Sequence, residues 1–324
     1  MKRSAILAMK FFALILTLLL TVTAIGAGWP AKVFVPYMYI GAGDHFQITK
    51  CDDACGQKFY TIAFIIDDGH RFPAWDGRFP LASNLYQDQI NEIRKRGGNV
   101  IVSFGGGGGT ELALAEPDTN ALAAKYQSVI DRYQLTWLDF DIEGDALAKS
   151  DVNRRRNAVL AKLQAKNPGL IISFTLPVDP DGIPKDGLEL LDDARAQGVK
   201  VYSANVMTMD YGAQFARGKR MCDVAIASAL KAREQCEAID PNIQIGLTPM
   251  IGNNDEKGQV FTLDDAEALR NWAETQPWIC SLSFWASNRD NGKPTDRQDD
   301  NTTSGIKQDQ WDFTKTFKPF TTTH

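Results

Sequence analysis

Short runs of apolar and β-branched residues recur along the chain, and segments with helical spacing separate several of them. Most of these runs are almost continuously apolar, which is typical of strands buried on both faces of a parallel sheet. The pattern predicts eight strands, in the segments 31–40, 58–67, 99–106, 136–143, 170–178, 201–211, 243–251 and 279–287.

Four of the intervening segments have the apolar spacing of amphipathic helices: 120–134, 151–169, 221–239 and 263–276. The connection between the first two strands, residues 41–57, has no clear helical period. Eight strands that alternate with helices predict a (β/α)8 barrel, the TIM barrel of the α/β class; a doubly wound open sheet is the alternative. Because no linker interrupts the pattern, residues 28–324 form one predicted catalytic domain.

The first 27 residues differ from the rest. Lys2, Arg3 and Lys10 precede an apolar stretch over residues 11–22, and the small residues AIGAG follow. This order is typical of a secretory signal peptide cleaved near residues 26–28, with an uncleaved membrane anchor as the alternative. We therefore expect residues 1–27 to be removed, and the mature protein to be secreted, extracellular or periplasmic, without a membrane segment.

The charge of the chain points to a neutral ligand. The formal net charge is −5, and removal of the three cationic residues near the start changes it to −8. No basic cluster follows, which disfavours nucleic acid and anionic lipid as partners.

Five cysteines are present, and export would permit disulfides. Cys51 and Cys55 are close enough to close a small loop, whereas Cys222 and Cys236 lie at opposite ends of one predicted helix, roughly 20 Å apart. The odd count leaves at least one thiol free or intermolecular. Neither pair has a second metal-type cluster beside it, so the sequence predicts no metal site.

Three carboxylates occupy alternate positions of the segment LDFDIEG, residues 138–144. On a strand, Asp139, Asp141 and Glu143 share one face, about 6–7 Å apart at each step. Like charges at this spacing raise at least one pKa, so that a proton is held near neutral pH, as a general acid requires. The alternatives are a solvated face, a structural hydrogen-bond network, or the start of a calcium loop. Calcium is disfavoured because Ser150 stands where such a loop needs its Glu.

The glycine run over residues 105–109 lacks the Lys and Ser/Thr of a phosphate-binding loop. It indicates instead a close approach of the backbone at a strand end, with room for a flat ligand above it.

Four motifs carry a resemblance to a known family. SFGG (103–106), DFDIE (139–143), MTMDYG (207–212) and SFWASNRD (283–290) together resemble family 18 glycoside hydrolases, the chitinases. The resemblance is strongest to the bacterial subgroup with a short, single-domain barrel, and it spans nearly the whole mature chain.

The resemblance implies substrate-assisted retaining hydrolysis, in which the 2-acetamido oxygen of the sugar attacks the anomeric carbon. Glu143 would protonate the glycosidic oxygen, and Asp141 would bind the acetamido N–H. Asp139 would share a proton with Asp141. No cofactor is implied.

The remaining candidates are assigned to the substrate. Asp210 and Tyr211 would hold the acetamido group, and Trp285 would form the floor of the central subsite. Further groove candidates are Tyr37, Met209, Met250, Asn288, Trp75 and the SFGG residues Ser103, Gly105 and Gly106. The sequence departs from the family pattern at Thr136-Trp137, where the family has Asp-Gly, and at Met209, where it has Tyr.

The resemblance implies a monomeric enzyme that hydrolyses chitin or chito-oligosaccharides. Only about 27 residues separate Met250 from Ile279, too few for the additional α+β lobe of some family members. We therefore expect a shallow groove and endo-type cleavage. An endo-β-N-acetylglucosaminidase acting on glycoprotein glycans and a chitin-binding lectin on the same barrel are the alternatives.

Overall fold

The computed structural model describes residues 28–43, 46–297 and 300–322. The predicted signal peptide, residues 1–27, lies outside the described residues. Within those ranges, no helix is long and apolar enough to cross a membrane.

Parallel strands dominate the structure, as the apolar runs predict. In chain order the strands are β1 (Val33–Phe34), β2 (Tyr37–Tyr39), β3 (Phe59–Asp67), β4 (Pro73–Trp75), β5 (Phe79–Pro80), β6 (Asn99–Gly105), β7 (Trp137–Asp141), β8 (Ile171–Pro177), β9 (Val201–Met207), β10 (Gln244–Thr248), β11 (Gly252–Asn253), β12 (Val260–Phe261) and β13 (Ile279–Leu282). β3 and β6 to β10 pair in sequence order, and β13 follows β10.

The first predicted strand closes the barrel as two short strands. β1 pairs in parallel with β13, and β2 pairs in parallel with β3, so the segment 33–39 joins the two ends of the sheet. The amide of Val35 donates to the carbonyl of Leu282 at 2.8 Å, and the amide of Thr61 donates to the carbonyl of Pro36 at 3.0 Å. Because Pro36 has no N–H to donate, the strand is interrupted at this point. The TIM barrel prediction is therefore confirmed.

Helices cover the outside of the barrel. They are α1 (Ile48–Cys55), α2 (Gln87–Lys95), α3 (Leu112–Ala115), α4 (Thr119–Tyr133), α5 (Gly144–Ala148), α6 (Ser150–Lys166), α7 (Lys185–Ala196), α8 (Ala213–Ala216), α9 (Met221–Ile239), α10 (Leu263–Glu274) and α11 (Asp312–Phe317). The four predicted helices correspond to α4, α6, α9 and α10. Residues 41–57, which show no clear helical period in the sequence, contain α1. It is short and buries only Ile48 and Cys51, too few positions to show a helical period.

The strand register places polar side chains in layers inside the barrel. Ser103, Asp139 and Ser173 are neighbours across β6, β7 and β8. One step further along the strands, Asp141 is next to Thr175, and Thr175 is next to Asn205. The alternate residues face outward: the rings of Phe104 and Phe140 stack at 5.1 Å under the helix layer. Consequently, the acidic ladder points into the barrel and reaches its C-terminal mouth.

Both short cysteine patterns lie on helices. The sulfur atoms of Cys51 and Cys55, one turn apart on α1, are separated by 3.4 Å as two free thiols. Cys222 and Cys236 lie at opposite ends of α9, as the sequence predicts.

Candidate active site

A groove with a cavity of ≈ 700 Å³ opens at the C-terminal ends of the barrel strands. This is the face on which TIM-barrel enzymes carry their active sites. Eight of the predicted site residues line the groove: Tyr37, Gly105, Asp141, Glu143, Met209, Asp210, Met250 and Trp285. Side chains from five strands and the loops after them thus meet at one place.

Asp139 lies below the groove and is enclosed by hydroxyl groups. Tyr37 and Ser103 donate to its Oδ2 at 2.9 and 2.7 Å, and Ser173 donates to its Oδ1 at 2.7 Å. Thr175 contacts both oxygens at 3.0 Å. Burial raises the pKa of Asp139, and the four hydroxyls oppose that rise because they bind the ionised form. These hydroxyls hold the Asp139 carboxyl in a fixed position below the groove.

Asp141 and Glu143 are neighbouring carboxyls in the groove, and the pKa of each is raised. Burial raises the pKa of Asp141 well above its usual range, and the neighbouring carboxyls of Glu143 and Asp139 raise it further. Burial also raises the pKa of Glu143, while its hydrogen bond with Asp141 opposes the change. Both shifts favour the protonated form, so this pair of carboxyls can hold a proton. The expected sharing between Asp139 and Asp141 is not seen in this structure, because Asp139 receives all its hydrogen bonds from hydroxyls.

Asp210 fixes one wall of the groove. Its backbone has a φ of +50°, which Asp adopts more readily than most residues. Its Oδ1 accepts the amide of Glu256 at 3.0 Å, and its own amide donates to the side chain of Asn254 at 3.2 Å. Burial raises the pKa of Asp210. Its negative charge in turn raises the pKa of Glu143.

An aromatic wall faces the acidic ladder. The ring of Trp285 stacks on Phe64 at 5.6 Å and lies 5.1 Å from the ring of Tyr39. Its Nε1 donates to Asn301 at 3.0 Å. The Trp285 ring is partly exposed in the groove. A partly exposed, laterally supported indole is suited to stacking against the apolar face of a sugar ring.

Trp75 does not line the groove, contrary to its sequence assignment. It is fully buried, and its Nε1 donates to the hydroxyl of Tyr133 at 2.7 Å. β4 pairs antiparallel with the outer half of β3 and carries the Trp75 ring into the core.

Tyr211 is also buried in the apolar core and does not present its hydroxyl to the groove. Neighbouring residues face opposite ways, so Asp210 lines the groove while Tyr211 packs against the helix layer. Burial raises the pKa of its hydroxyl. The direct role in holding the acetamido group that the sequence assigned to Tyr211 is therefore corrected.

Three other candidates support the site from behind. Asn288 is buried and binds the backbone of Tyr39, accepting from its amide at 2.8 Å and donating to its carbonyl at 3.1 Å. Ser103 binds Asp139, and Gly106 lies beneath the ring of Phe64. These residues hold the groove in shape rather than line it.

The polar layer beside Asp141 and part of the groove wall were not predicted from the sequence. Thr175 and Asn205 are joined by a hydrogen bond of 2.9 Å, and Asn205 accepts from Thr248 at 2.9 Å. The sequence does carry a signal for this layer. Ser and Thr alternate with apolar residues in IISFTLP, as do Ser and Asn in VYSANVM, and this alternation places the polar side chains on one face of each strand. The missed groove residues include Tyr39, Phe64, Asp76, Asp255 and Asn301.

Similarity to known proteins agrees with this geometry. No family model matches the chain. The chain is 29% identical over 315 residues to the probable bifunctional chitinase/lysozyme of Escherichia coli (strain K12), a match to 90% of this chain and 35% of that protein. It is 29% identical over 279 residues to endochitinase 11 of Metarhizium anisopliae, a match to 81% of this chain and 53% of that protein. It thus spans about a third to a half of the length of these relatives.

Some solved structures have a higher sequence identity to this chain than these two relatives have. The catalytic domain of the hyperthermophilic chitinase from Pyrococcus furiosus matches with 34% identity and a TM-score of 0.80, over 91% of this chain and 97% of that one. The chain belongs to the chitinases of glycoside hydrolase family 18. Catalytic-site mutants of active domain 2 of the thermostable chitinase from the same organism, complexed with chito-oligosaccharides, match with 33% identity and the same TM-score over 91% and 96%. A family 18 chitinase from the fern Peteris ryukyuensis shares the fold, with 13% identity and a TM-score of 0.56 over 79% and 92%.

The two departures from the family 18 pattern have defined positions in the structure. Met209 lines the groove. Trp137 is buried at the opposite, N-terminal end of the barrel interior, in an apolar cluster with Trp29 and Ile101.

The glycine run predicts a strong contrast between two substitutions. A Cβ on Gly105 would lie 2.0 Å from the carbonyl oxygen of Asp141, and its φ is +101°. A Cβ on Gly108 would meet no atom within 4 Å. We expect Gly105→Ala to lower the free energy of unfolding by about 2–6 kcal/mol, and Gly108→Ala to change it by less than about 0.5 kcal/mol. Urea unfolding measures both; equal losses would contradict the close approach at Gly105.

Proposed function

We propose that this family 18 member is a retaining chitinase that hydrolyses β-1,4-linked N-acetylglucosamine polymers with the acetamido group of its substrate as the nucleophile. The observation that carries the proposal is the placement of Asp141 and Glu143 together in the groove, where burial raises the pKa of both carboxyls, above an Asp139 that is held by hydroxyl groups. The relatives named as chitinases, and the similar structure complexed with chito-oligosaccharides, support the choice of substrate.

We propose a separate task for each carboxyl. Glu143 is the most exposed of the three and can reach a glycosidic oxygen in the groove. Within the described residues, Oδ1 of Asp141 is buried without a hydrogen-bond partner. A buried acceptor without a donor is costly, and the acetamido N–H of a bound sugar would satisfy it. Asp139 is saturated by hydroxyls and is not free to attack carbon.

The reaction then proceeds in two steps. Glu143 donates its proton to the leaving oxygen while the acetamido oxygen attacks the anomeric carbon, which gives an oxazolinium and a shortened chain. The charge of Asp141 stabilises the cationic ring through its N–H. Glu143, now a base, removes a proton from a water molecule that opens the ring. Both displacements invert the anomeric carbon, so the β configuration is retained.

An open groove supports cleavage within chains. Between β10 and β13 the chain forms only the small β11–β12 hairpin and α10. No additional lobe is built there to wall in the substrate. We propose endo cleavage on this basis, by a monomeric catalytic domain of residues 28–324 that segment 1–27 directs to secretion.

The proposed activity is tested with purified residues 28–324 on colloidal chitin and on a soluble chitin derivative. We expect soluble oligosaccharides of mixed length, and a fall in viscosity that precedes most of the reducing-end release. Early release of mainly dimers would contradict endo cleavage. Hydrolysis of a glycoprotein glycan without hydrolysis of chitin would favour an endo-β-N-acetylglucosaminidase, and binding of chitin without release would favour a lectin.

Deprotonation of Glu143 is expected to cause the loss of activity on the alkaline side of the pH profile of kcat/KM. Glu143 must be protonated to act as the acid, so activity is lost as the pH rises through its folded-state pKa. Burial first, and then the charge of Asp210, raise that pKa. Asp210→Asn removes the charge, so the alkaline limb of kcat/KM should move to lower pH. Asp145→Asn, whose carboxyl is 89% exposed, is the control and should leave the limb in place. If neither substitution moves the alkaline limb, the charge of Asp210 does not set the pKa of Glu143.

A further inference from the structure

Trp137 connects the lower end of the barrel interior to the acidic ladder. Its indole ring is 2% exposed, and its Nε1 donates to Oγ of Ser173 at 3.0 Å. The Ser173 hydroxyl in turn donates to Oδ1 of Asp139 at 2.7 Å. The chain Trp137–Ser173–Asp139 thus runs along two adjacent strands, β7 and β8, toward the groove.

The direction of these bonds is fixed by chemistry. An indole N–H can only donate, whereas a hydroxyl has one proton to give and lone pairs to receive. When Ser173 accepts from Trp137, its own proton remains available for Asp139. Thr175 differs from Ser173, because it accepts from Nδ2 of Asn205 at 2.9 Å but lies 2.8 Å from the Tyr37 hydroxyl as well as near both oxygens of Asp139. The Ser173 hydroxyl is therefore the one whose proton is directed at Asp139 by a donor behind it.

We infer that Trp137 is a positioning residue for catalysis: its N–H turns the Ser173 hydroxyl toward Asp139 and so holds that carboxylate in place beneath Asp141. The inference rests on the proposed function, and it goes further by giving a role to the position where the family carries the Gly of Asp-Gly. Without the indole donor, the Ser173 hydroxyl is free to rotate toward another acceptor.

Few other groups lie close enough to Asp139 to change its pKa. The titratable groups beside it are Tyr37 from β2 and Asp141 from its own strand. Its contacts from β6 and β8 are the hydroxyls of Ser103, Ser173 and Thr175, which carry no charge. A change at Trp137 therefore reaches Asp139 through Ser173.

Trp29 provides a matched control in the same cluster. The two indole rings meet edge to face at 5.0 Å, and both are buried. Nε1 of Trp29 donates to Oγ1 of Thr136 at 3.0 Å, and Thr136 is not among the groups bound to Asp139. Trp29→Phe and Trp137→Phe thus each remove one indole donor from the same packing environment, but only the second breaks the path to Asp139.

The experiment compares kcat, KM and the pH profile of the wild type, Trp137→Phe, Trp29→Phe, Ser173→Ala and the double variant Trp137→Phe/Ser173→Ala on a chito-oligosaccharide. We expect Trp137→Phe to lower kcat about 3- to 10-fold with little change in KM, the loss associated with one buried hydrogen bond. The acid limb of the profile should move to higher pH, because the ionised form of Asp139 loses support. Trp29→Phe should leave the limb in place, and the double variant should be no slower than Ser173→Ala.

The inference is overturned if Trp137→Phe and Trp29→Phe change kcat and the acid limb equally, or if the losses in the double variant add. Should Trp137→Phe fail to fold, benzothienylalanine at position 137 keeps the ring shape and removes only the N–H; an unchanged acid limb in that variant would also overturn the inference. A wild-type protein without hydrolytic activity would instead contradict the proposed function.

Discussion

Replacing Glu143 by Gln is expected to lower kcat on chito-oligosaccharides by about 10²–10⁴-fold and to leave binding intact. Gln keeps the shape of the side chain and can still form hydrogen bonds, but it has no acidic proton for the leaving oxygen. The groove wall at Trp285 and Asp210 does not depend on that proton, so oligosaccharide affinity should remain within a few-fold of that of the wild type.

The measurement is single-turnover hydrolysis together with calorimetric binding of the same oligosaccharide. Asp145→Asn is the control, because it removes a carboxylate two residues away that is exposed outside the groove. If Glu143→Gln retained more than a tenth of the activity, another group would have to be the acid. If it lost both activity and binding, the substitution would have disturbed the groove itself.

Replacing Asp141 by Asn is expected to reduce activity and raise stability in the same protein. An amide can still donate to Glu143, but it carries no charge to support the oxazolinium, so kcat should fall about 10²–10³-fold.

The stability of the folded protein depends on the pKa of Asp141. The folded protein holds the Asp141 proton more tightly than an unfolded chain does, so wild-type stability declines as the pH rises from the ordinary Asp value of about 3.9 through the raised value.

Asn does not titrate, so the stability advantage of Asp141→Asn should grow with pH across that window. Each kcal/mol gained in the free energy of unfolding would raise the Tm by about 1.5 °C in a protein of this length. Asp139→Asn is the informative contrast, because its amide would face two of the hydroxyl donors, and it should be destabilised at neutral pH. A Tm difference for Asp141→Asn that is constant from pH 4 to pH 8 would contradict the proposed protonation of the pair.

Much of this arrangement could be predicted from the chain because parallel strands leave a strong pattern. Apolar runs mark strands buried on both faces, and the period of two places Asp139, Asp141 and Glu143 on one inner face. The helix α1 escaped prediction because it is short and buries few residues. The split of the first strand at Pro36 was likewise visible only once both of its partners were known.

The aromatic candidates show where sequence patterns lose information. Trp75 and Trp285 both stand beside polar turn residues, yet one is buried under Tyr133 and the other is partly exposed in the groove. The difference arises from β4, a short strand that folds back antiparallel on β3, and nothing local in FPAWDG indicates that pairing. The same holds for Tyr211. Asp210 and Tyr211 point to opposite sides of the chain, and the sequence alone does not show which of the two side chains reaches the groove.

In the proposed mechanism, the acetamido group of the substrate attacks while Glu143 supplies the proton. The most direct measurement is time-resolved proton NMR of the first products formed by the wild type from chitohexaose, recorded before mutarotation. The proposed mechanism predicts the β-anomer at the newly formed reducing end. The α-anomer as the first product would show direct attack by water and would contradict it.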